Sequence, residues 1–198
     1  MTLSIRMADS SDAEAIQAIY EPIVRDTWIS FELDIPDVAE MRHRIETYME
    51  TYPWLVCVDG EQIAGYVYAS TYRARKAYQW SVEVTAYIHE DYRRRGIGRA
   101  LYISLFEILA LQGYCNAYAG VALPNEGSIG LHRAMGFEDI GIYKNVGYKF
   151  GQWHDVAWLQ MALQDYPSNP SDPVKLPQFT QADQLAEAIQ KGQPLLRG

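Results

Sequence analysis

The stretch Asp91-Tyr92-Arg93-Arg94-Arg95-Gly96-Ile97-Gly98-Arg99-Ala100-Leu101 lies between a run that reads as a strand, Ser81 to Ile88, and one that reads as a helix, Arg99 to Leu111. A strand therefore feeds a basic, glycine-punctuated turn that opens a helix. Glycine lets the backbone approach a ligand closely. The helix N-terminus offers unpaired N–H groups to an anion, and the arginines add charge. The combination suits a pyrophosphate. The third glycine of a G-x-G-x-x-G dinucleotide fingerprint is missing, and no Gly-Lys-Ser/Thr of a P-loop follows. Taken alone, the same stretch also reads as a solvated surface turn, so the rest of the chain decides.

The chain has 198 residues, 48% of them hydrophobic, which suits one domain with room for a tail. Its net charge of -8 argues against nucleic acid as the main partner and makes Arg93–Arg95 a local patch on an acidic molecule. That pattern fits a specific small anion better than a polyanion. Cys57 and Cys115 each fall in an apolar strand-like run and read as buried free thiols of a reducing compartment. With no signal peptide and no apolar run of membrane-spanning length, the expected location is the cytoplasm.

From the N-terminus, Leu3 to Met7 reads as a strand. Ser11-Asp12-Ala13-Glu14 has capping-box spacing and precedes a helical face of Ile16, Ile19, Tyr20 and Ile23. Thr27 to Phe31 reads as a loop whose aromatics form part of a substrate wall, and Asp37 to Met49 as a second helix. Trp54 to Val58 and Ile63 to Ser70 are strands joined by the hairpin signal Asp59-Gly60. After the helix that ends at Gly113 come a strand from Asn116 to Val121 and a helix to Met135 capped by Asn125 or Ser128. A final strand pair covers Ile140 to Tyr148 and Asp155 to Leu163. The predicted fold class is α/β (α+β), a mixed, mostly antiparallel twisted sheet flanked by helices. Beyond Gln164, Pro167, Pro170, Pro173 and Pro177 fall close together, and Thr180 to Lys191 reads as one more short helix. The expected organisation is a catalytic domain over residues 1–164 and a Pro-rich extension over 165–198 that takes no part in catalysis.

This element order resembles that of the GNAT acetyltransferases, and Arg93-x-x-Gly96-x-Gly98 is similar to their acetyl-CoA signature. Tyr52-Pro53-Trp54-Leu55-Val56, Ala74-Arg75-Lys76-Ala77-Tyr78, Leu123-Pro124-Asn125 and Gly147-Tyr148-Lys149-Phe150-Gly151-Gln152-Trp153-His154-Asp155-Val156 resemble the phosphinothricin and methionine sulfoximine acetyltransferases across residues 3–163. One departure is Ala86, where a larger branched residue is common. The resemblance implies an acetyl-CoA-dependent N-acetyltransferase, a homodimer, acting on a small amino acid analogue such as phosphinothricin or methionine sulfoximine. Two alternatives stay open: the same chemistry on another amine or a protein N-terminus, and a non-catalytic acyl-CoA-binding module.

Acetyl transfer to an amine needs a base, because an ammonium has no lone pair to attack with. Glu83 shares one strand face with Thr85 and Tyr87, while Val82, Val84, Ala86 and Ile88 share the other. By pattern Glu83 is a solvent-facing glutamate, and the resemblance makes it the general base and a contact for the substrate amine. The resemblance also assigns coenzyme contacts to Ala86, Tyr87 and Ile88, where two strands splay, to the turn Arg94, Arg95, Gly96, Ile97, Gly98 and Arg99, and to Asn125 and Ser128 at the last helix. His132 stands where the family has proposed a catalytic histidine; read by itself, it is a structural helix residue. Arg73 and Arg75 are candidates for the acceptor's carboxylate or phosphinate, since guanidinium forks match such groups. His43, His89 and His154 show no metal-ligand spacing, so no metal is expected.

Overall fold

The computed structural model describes residues 2–197, and Met1 and Gly198, the outer ends of the two expected segments, lie outside them. The chain runs β1 (Leu3–Met7), α1 (Ala13–Asp26), α2 (Val38–Met49), β2 (Trp54–Asp59), β3 (Gln62–Thr71), β4 (Ser81–Ile88), α3 (Ile97–Gln112), β5 (Asn116–Ala122), α4 (Glu126–Ala134), β6 (Glu138–Lys149), β7 (Gln152–Ala162) and α5 (Ala182–Gln190), with short 3-10 turns between. The strands form one seven-stranded sheet in the order β1-β2-β3-β4-β5-β7-β6. Every neighbour pair is antiparallel except β4 with β5.

The two faces of the sheet carry separate cores. On one, Ile16, Ile19, Tyr20 and Ile45 of α1 and α2 pack on Trp54, Val56 and Tyr66. On the other, Leu101, Leu105 and Leu109 of α3 pack on Leu55, Val67, Val82 and Val84. The alternation read along β4 holds: Val82 and Val84 face α3, while Tyr87 turns to Tyr20 and Tyr66, with ring centroids 5.1 and 5.6 Å away. α3 is buried almost all round, including Ser104 and Gln112, because α5 covers the side that the sheet leaves open. Among the described residues, no helix is long and apolar enough to cross a membrane.

Two local readings need correction. The capping box starts at Asp9 rather than Ser11: Asp9 accepts from Ser11 N–H, and Asp12 accepts from Asp9 N–H at 3.0 Å. Asp12 is thereby committed to this turn and to Arg6, at 2.7 Å, and α1 itself starts without a side-chain cap. The last two strands are longer than the sequence suggested and meet in a tight turn at Phe150-Gly151, both with positive φ. The extra length lies mainly at the turn, where Gly147–Lys149 pair with Gln152–His154, and β6 also carries a bulge where pairing slips between Tyr143 and Gly147. Along the extension, Leu176, Leu185, Ile189 and Leu195 pack against the α3 core and Ala188 is part of it.

Candidate active site

β4 and β5 pair only at Ser81–Asn116, Val82–Ala117 and Glu83–Tyr118. Past that point β4 stays with β3 as far as Ile88, and β5 stays with β7 as far as Ala122. A wedge therefore opens between the two parallel strands, with Glu83 at its vertex and Ala86, Tyr87 and Ile88 along one edge. The β5-facing backbone of that edge has no strand partner, so its polar groups are available to an extended ligand.

The glycine turn sits at the open end of the wedge. Arg94 (φ 68°) and Gly96 (φ 81°) both adopt the left-handed conformation. In an arginine this is an uncommon backbone state that clusters at functional sites. α3 begins with no capping side chain, so its first amides stay directed outward for an anion. Arg94, Arg95 and Arg99 are exposed around them, with the Arg95 guanidinium 4.9 Å above the Tyr92 ring. Gly98 marks a narrow passage: a Cβ there would lie 3.0 Å from Leu131 Cδ2 and 4.0 Å from Ile88 Cγ1. Asn125 is the N-cap of α4, its side chain accepting from Ser128 N–H at 3.1 Å. The two expected coenzyme contacts of this helix are thus one cap.

On the other side of Glu83 lies a cleft of about 440 Å³. Tyr143, Val146 and Trp158 from the last two strands line it, with Ile29 and Phe31 from the connection between α1 and α2 and with Gly120 from β5. Tyr72 closes one flank, stacked on Tyr118 with centroids 4.1 Å apart. Burial raises the pKa of Glu83, and the positive charge of Arg73 partly opposes the shift. Arg73 lines the same cleft, its guanidinium 5.1 Å above the Tyr72 ring. Arg75 does not: it faces an adjoining surface depression with Tyr78. The structure thus brings Glu83 and Arg73 together and leaves Arg75 outside.

A further group was not visible as functional in the sequence. Lys149 is only 4% exposed. Its ammonium donates to Val24 O at 2.7 Å and to Ser30 O at 2.8 Å, tying β6 to the last turn of α1 and the start of the α1–α2 connection. Burial lowers the Lys149 pKa. His154 Nε2 donates to Lys149 O at 3.1 Å, and its ring stacks on Trp28. Gly147 leaves room for Phe31, whose ring atoms lie 2.3–2.6 Å from where a Cβ would be. The Gly147–Val156 motif thus buttresses the loop that carries Ile29 and Phe31. The available signal was its place in the Gly147–Val156 motif.

His132 stands behind the wedge rather than in the cleft. It is 5% exposed, enclosed by Tyr102 and Phe137. Its Nδ1 donates to Ser128 O at 2.8 Å, which leaves Nε2 to accept from the Tyr102 hydroxyl at 3.0 Å. Burial lowers its pKa, so the ring is neutral at pH 7. Both ring nitrogens are used inside the core, joining α4 to α3. Among the described residues, no group of three or more His, Cys, Asp or Glu side chains is placed to hold a metal ion.

A strand wedge beside a glycine turn at a helix N-terminus defines an acyl-coenzyme A transferase of the GNAT class, and the acetyltransferase (GNAT) domain matches residues 5–158. The chain is 38% identical to phosphinothricin N-acetyltransferase of Streptomyces coelicolor over 81% of its own length and 96% of that protein. It is 34% identical to the L-methionine sulfoximine/L-methionine sulfone acetyltransferase of Pseudomonas aeruginosa over 86% and 100%. The phosphinothricin acetyltransferase of Sinorhizobium meliloti, solved with acetyl-CoA, superposes with a TM-score of 0.83 at 35% identity over 88% of this chain and 96% of that one. The chain therefore belongs to the phosphinothricin and methionine sulfoximine acetyltransferase family, and it is an acetyl-CoA-dependent N-acetyltransferase.

Proposed function

We propose that this enzyme acetylates the amino group of a small amino acid analogue such as phosphinothricin or methionine sulfoximine, with Glu83 as general base and Arg73 holding the acceptor's anionic group. The observation that carries the proposal is the pairing of a half-buried carboxylate with a guanidinium in one aromatic-walled cleft of about 440 Å³, a volume suited to a small molecule. The acceptor arrives as an ammonium. Glu83 takes its proton, directly or through one water, and its raised pKa makes it a stronger base than an exposed glutamate. The freed amine attacks the thioester carbonyl. The C–N bond forms, the C–S bond breaks, the thiolate departs with its electron pair, and the second proton that the nitrogen sheds in becoming an amide ends on that thiolate. Backbone N–H groups along Ala86–Ile88 polarise the carbonyl, an oxyanion-hole role. The amides of Ile97, Gly98 and Arg99, with the arginines of the turn, hold the pyrophosphate. Asn125 and Ser128 set the start of α4 against the coenzyme, and His132 positions that helix through Tyr102 instead of touching the reacting atoms.

All these groups fall within residues 1–164, the proposed acetyltransferase domain. A homodimer is also proposed. β6 is an edge strand whose Ile140, Ile142 and Tyr148 are exposed, and Trp153 beside it is 62% exposed. An apolar edge of this kind calls for a cover. Cytoplasmic residence is proposed on the buried free thiols of Cys57 and Cys115, and the net charge of -8 supports small-molecule partners over nucleic acid.

A thiol-release assay with acetyl-CoA and a panel of amino acid analogues, simple amines and peptide N-termini tests the assignment. Phosphinothricin or methionine sulfoximine is expected to have the highest kcat/KM. A peptide N-terminus turning over faster than every amino acid analogue would overturn it.

A further inference from the structure

The family match ends at residue 158, so the C-terminal segment lies outside it. That segment runs back along the whole of α3. At the C-terminal end of the helix, Val174 N–H donates to Gln112 O at 2.8 Å, and Gln112 Nε2 returns a bond to Val174 O at 2.8 Å. In the middle, Ser104 Oγ donates to Ile189 O at 2.6 Å and accepts from Gly192 N–H at 3.1 Å. Gly192 lies so close that a Cβ on it would be 1.9 Å from Ala100 O. Gln193 caps the exposed edge of β1, accepting from Ile5 N–H at 3.1 Å and donating to Leu3 O at 2.6 Å. The segment then reaches the glycine turn itself. Arg197 N–H donates to Arg95 O at 3.0 Å, and Leu195 O lies 2.3 Å from where a Cβ of Gly96 would stand.

Those last contacts fall on a piece of backbone with an unusual conformation. Arg94 and Gly96 are both left-handed on either side of Arg95, a state that persists only when the surroundings over-determine it. Within the described residues, the Arg95 carbonyl is held by the C-terminal segment, and Gly96 packs under Leu195. Resting on the coenzyme reading above, we propose that residues 189–197 act as a clasp that holds the Arg94–Gly96 turn in the conformation that receives the pyrophosphate, which makes Arg197, through its amide, a positioning residue for acetyl-CoA binding. A pre-formed turn spares the ligand the ordering cost of shaping it. Binding and clasping are then linked: whatever the clasp adds to coenzyme affinity, bound coenzyme adds to the clasp.

The test compares Arg197→Pro with Arg197→Ala in the full-length protein. Both substitutions remove the guanidinium, but only proline also removes the amide donor, and Leu196, at φ -69° and ψ 133°, already has the backbone that a following proline requires. Alanine keeps the amide. Calorimetric acetyl-CoA Kd is expected to rise about threefold to tenfold in Arg197→Pro, the range of one hydrogen bond. The acceptor KM and kcat at saturating acetyl-CoA should stay at parent values, and Arg197→Ala should bind like the parent. Equal affinity in Arg197→Pro and parent, with only the melting temperature lowered, would reduce the segment to packing and overturn the clasp. Equal loss in both variants would assign the effect to the side chain and also overturn it. Hydrogen exchange of the parent gives an arm that needs no variant to fold: saturating acetyl-CoA should slow exchange of the 189–197 amides several-fold, and unchanged exchange would overturn the proposal. A parent that binds no acetyl-CoA would instead defeat the coenzyme reading, and the clasp with it.

Discussion

The two sides of Glu83 are built in different ways. The coenzyme side comes mostly from one continuous stretch, residues 83–101, in which β4, the glycine turn and the start of α3 follow each other directly. The acceptor side is assembled from separate places: the α1–α2 connection, Tyr72 and Arg73 after β3, Gly120 in β5, the bulge of β6 and Trp158 in β7. A ligand common to a whole superfamily can be met by a local backbone device. One that differs between members is met by side chains which only the tertiary fold brings together.

The sharpest way to break this division is Glu83→Gln, because Glu83 belongs to both sides. Turnover is expected to fall at least ~10²-fold at neutral pH, the lower end of a general base's contribution, with acetyl-CoA affinity near the parent's. Activity should partly recover as pH rises and more acceptor is already deprotonated. In the parent, the raised Glu83 pKa places the acid limb of the rate profile above the ordinary carboxylate range, so activity is lost as pH falls through that raised value. The linkage sign follows. A folded-state pKa above the unfolded value adds stability at low pH that is lost as pH rises through it, so ionised Glu83 costs stability at neutral pH. Glu83→Gln should therefore melt no lower than the parent. A parent-like pH–rate profile in the variant would place the base elsewhere.

Lys149→Met sharpens the comparison from the acceptor side alone. It leaves Val24 O and Ser30 O without their charged donor and loosens the loop that carries Ile29 and Phe31. Acceptor kcat/KM is expected to drop roughly tenfold to a hundredfold, the range for hydrogen bonds to a charged group. Acetyl-CoA Kd should not move, and calorimetry against steady-state kinetics separates the two. A change in coenzyme affinity as large as the change in acceptor kcat/KM would mean that the sides are not independent.

The smallest functional effect is expected at His132→Phe. The Tyr102 hydroxyl loses its partner and stability falls by about 1–3 kcal/mol, read as a lower denaturant midpoint, while the shape of the pH–rate profile stays that of the parent. A lost or shifted limb would return the histidine to a catalytic role.

Much of the coenzyme side was legible in the residue order. Strand period placed Glu83 and Tyr87 on one face of β4 and Val82 and Val84 on the other, and the burial of that strand agrees. The need for glycine at 96 was legible, but its reason was incomplete. Part of it is the carbonyl of Leu195, almost a hundred residues away in sequence, so Gly96→Val tests the clasp as much as the phosphate site. Gly98, which faces Leu131 and Ile88, is the cleaner position for probing coenzyme entry. For His132 the sequence left a catalytic and a structural reading open, because position on a helix does not say which neighbour each ring nitrogen meets. The sequence grouped Arg75 with Arg73, and the structure sets them apart, because a loop residue two places away need not face the same way.

By itself the sequence determined what periodicity and contiguous backbone can carry: the element order, the basic strand–turn–helix proposed to receive an anion, and the glutamate beside it. The tertiary structure decided what depends on through-space partners. It parted β4 from β5 after Glu83, buried Lys149 under the acceptor wall, turned His132 inward and laid the proline-rich end of the chain along α3 to the glycine turn. The reason is physical. Local conformation is set by φ/ψ preferences and side-chain period, which neighbours in sequence share. Burial, hydrogen-bond satisfaction and pKa depend on groups that become neighbours only when the chain has closed on itself.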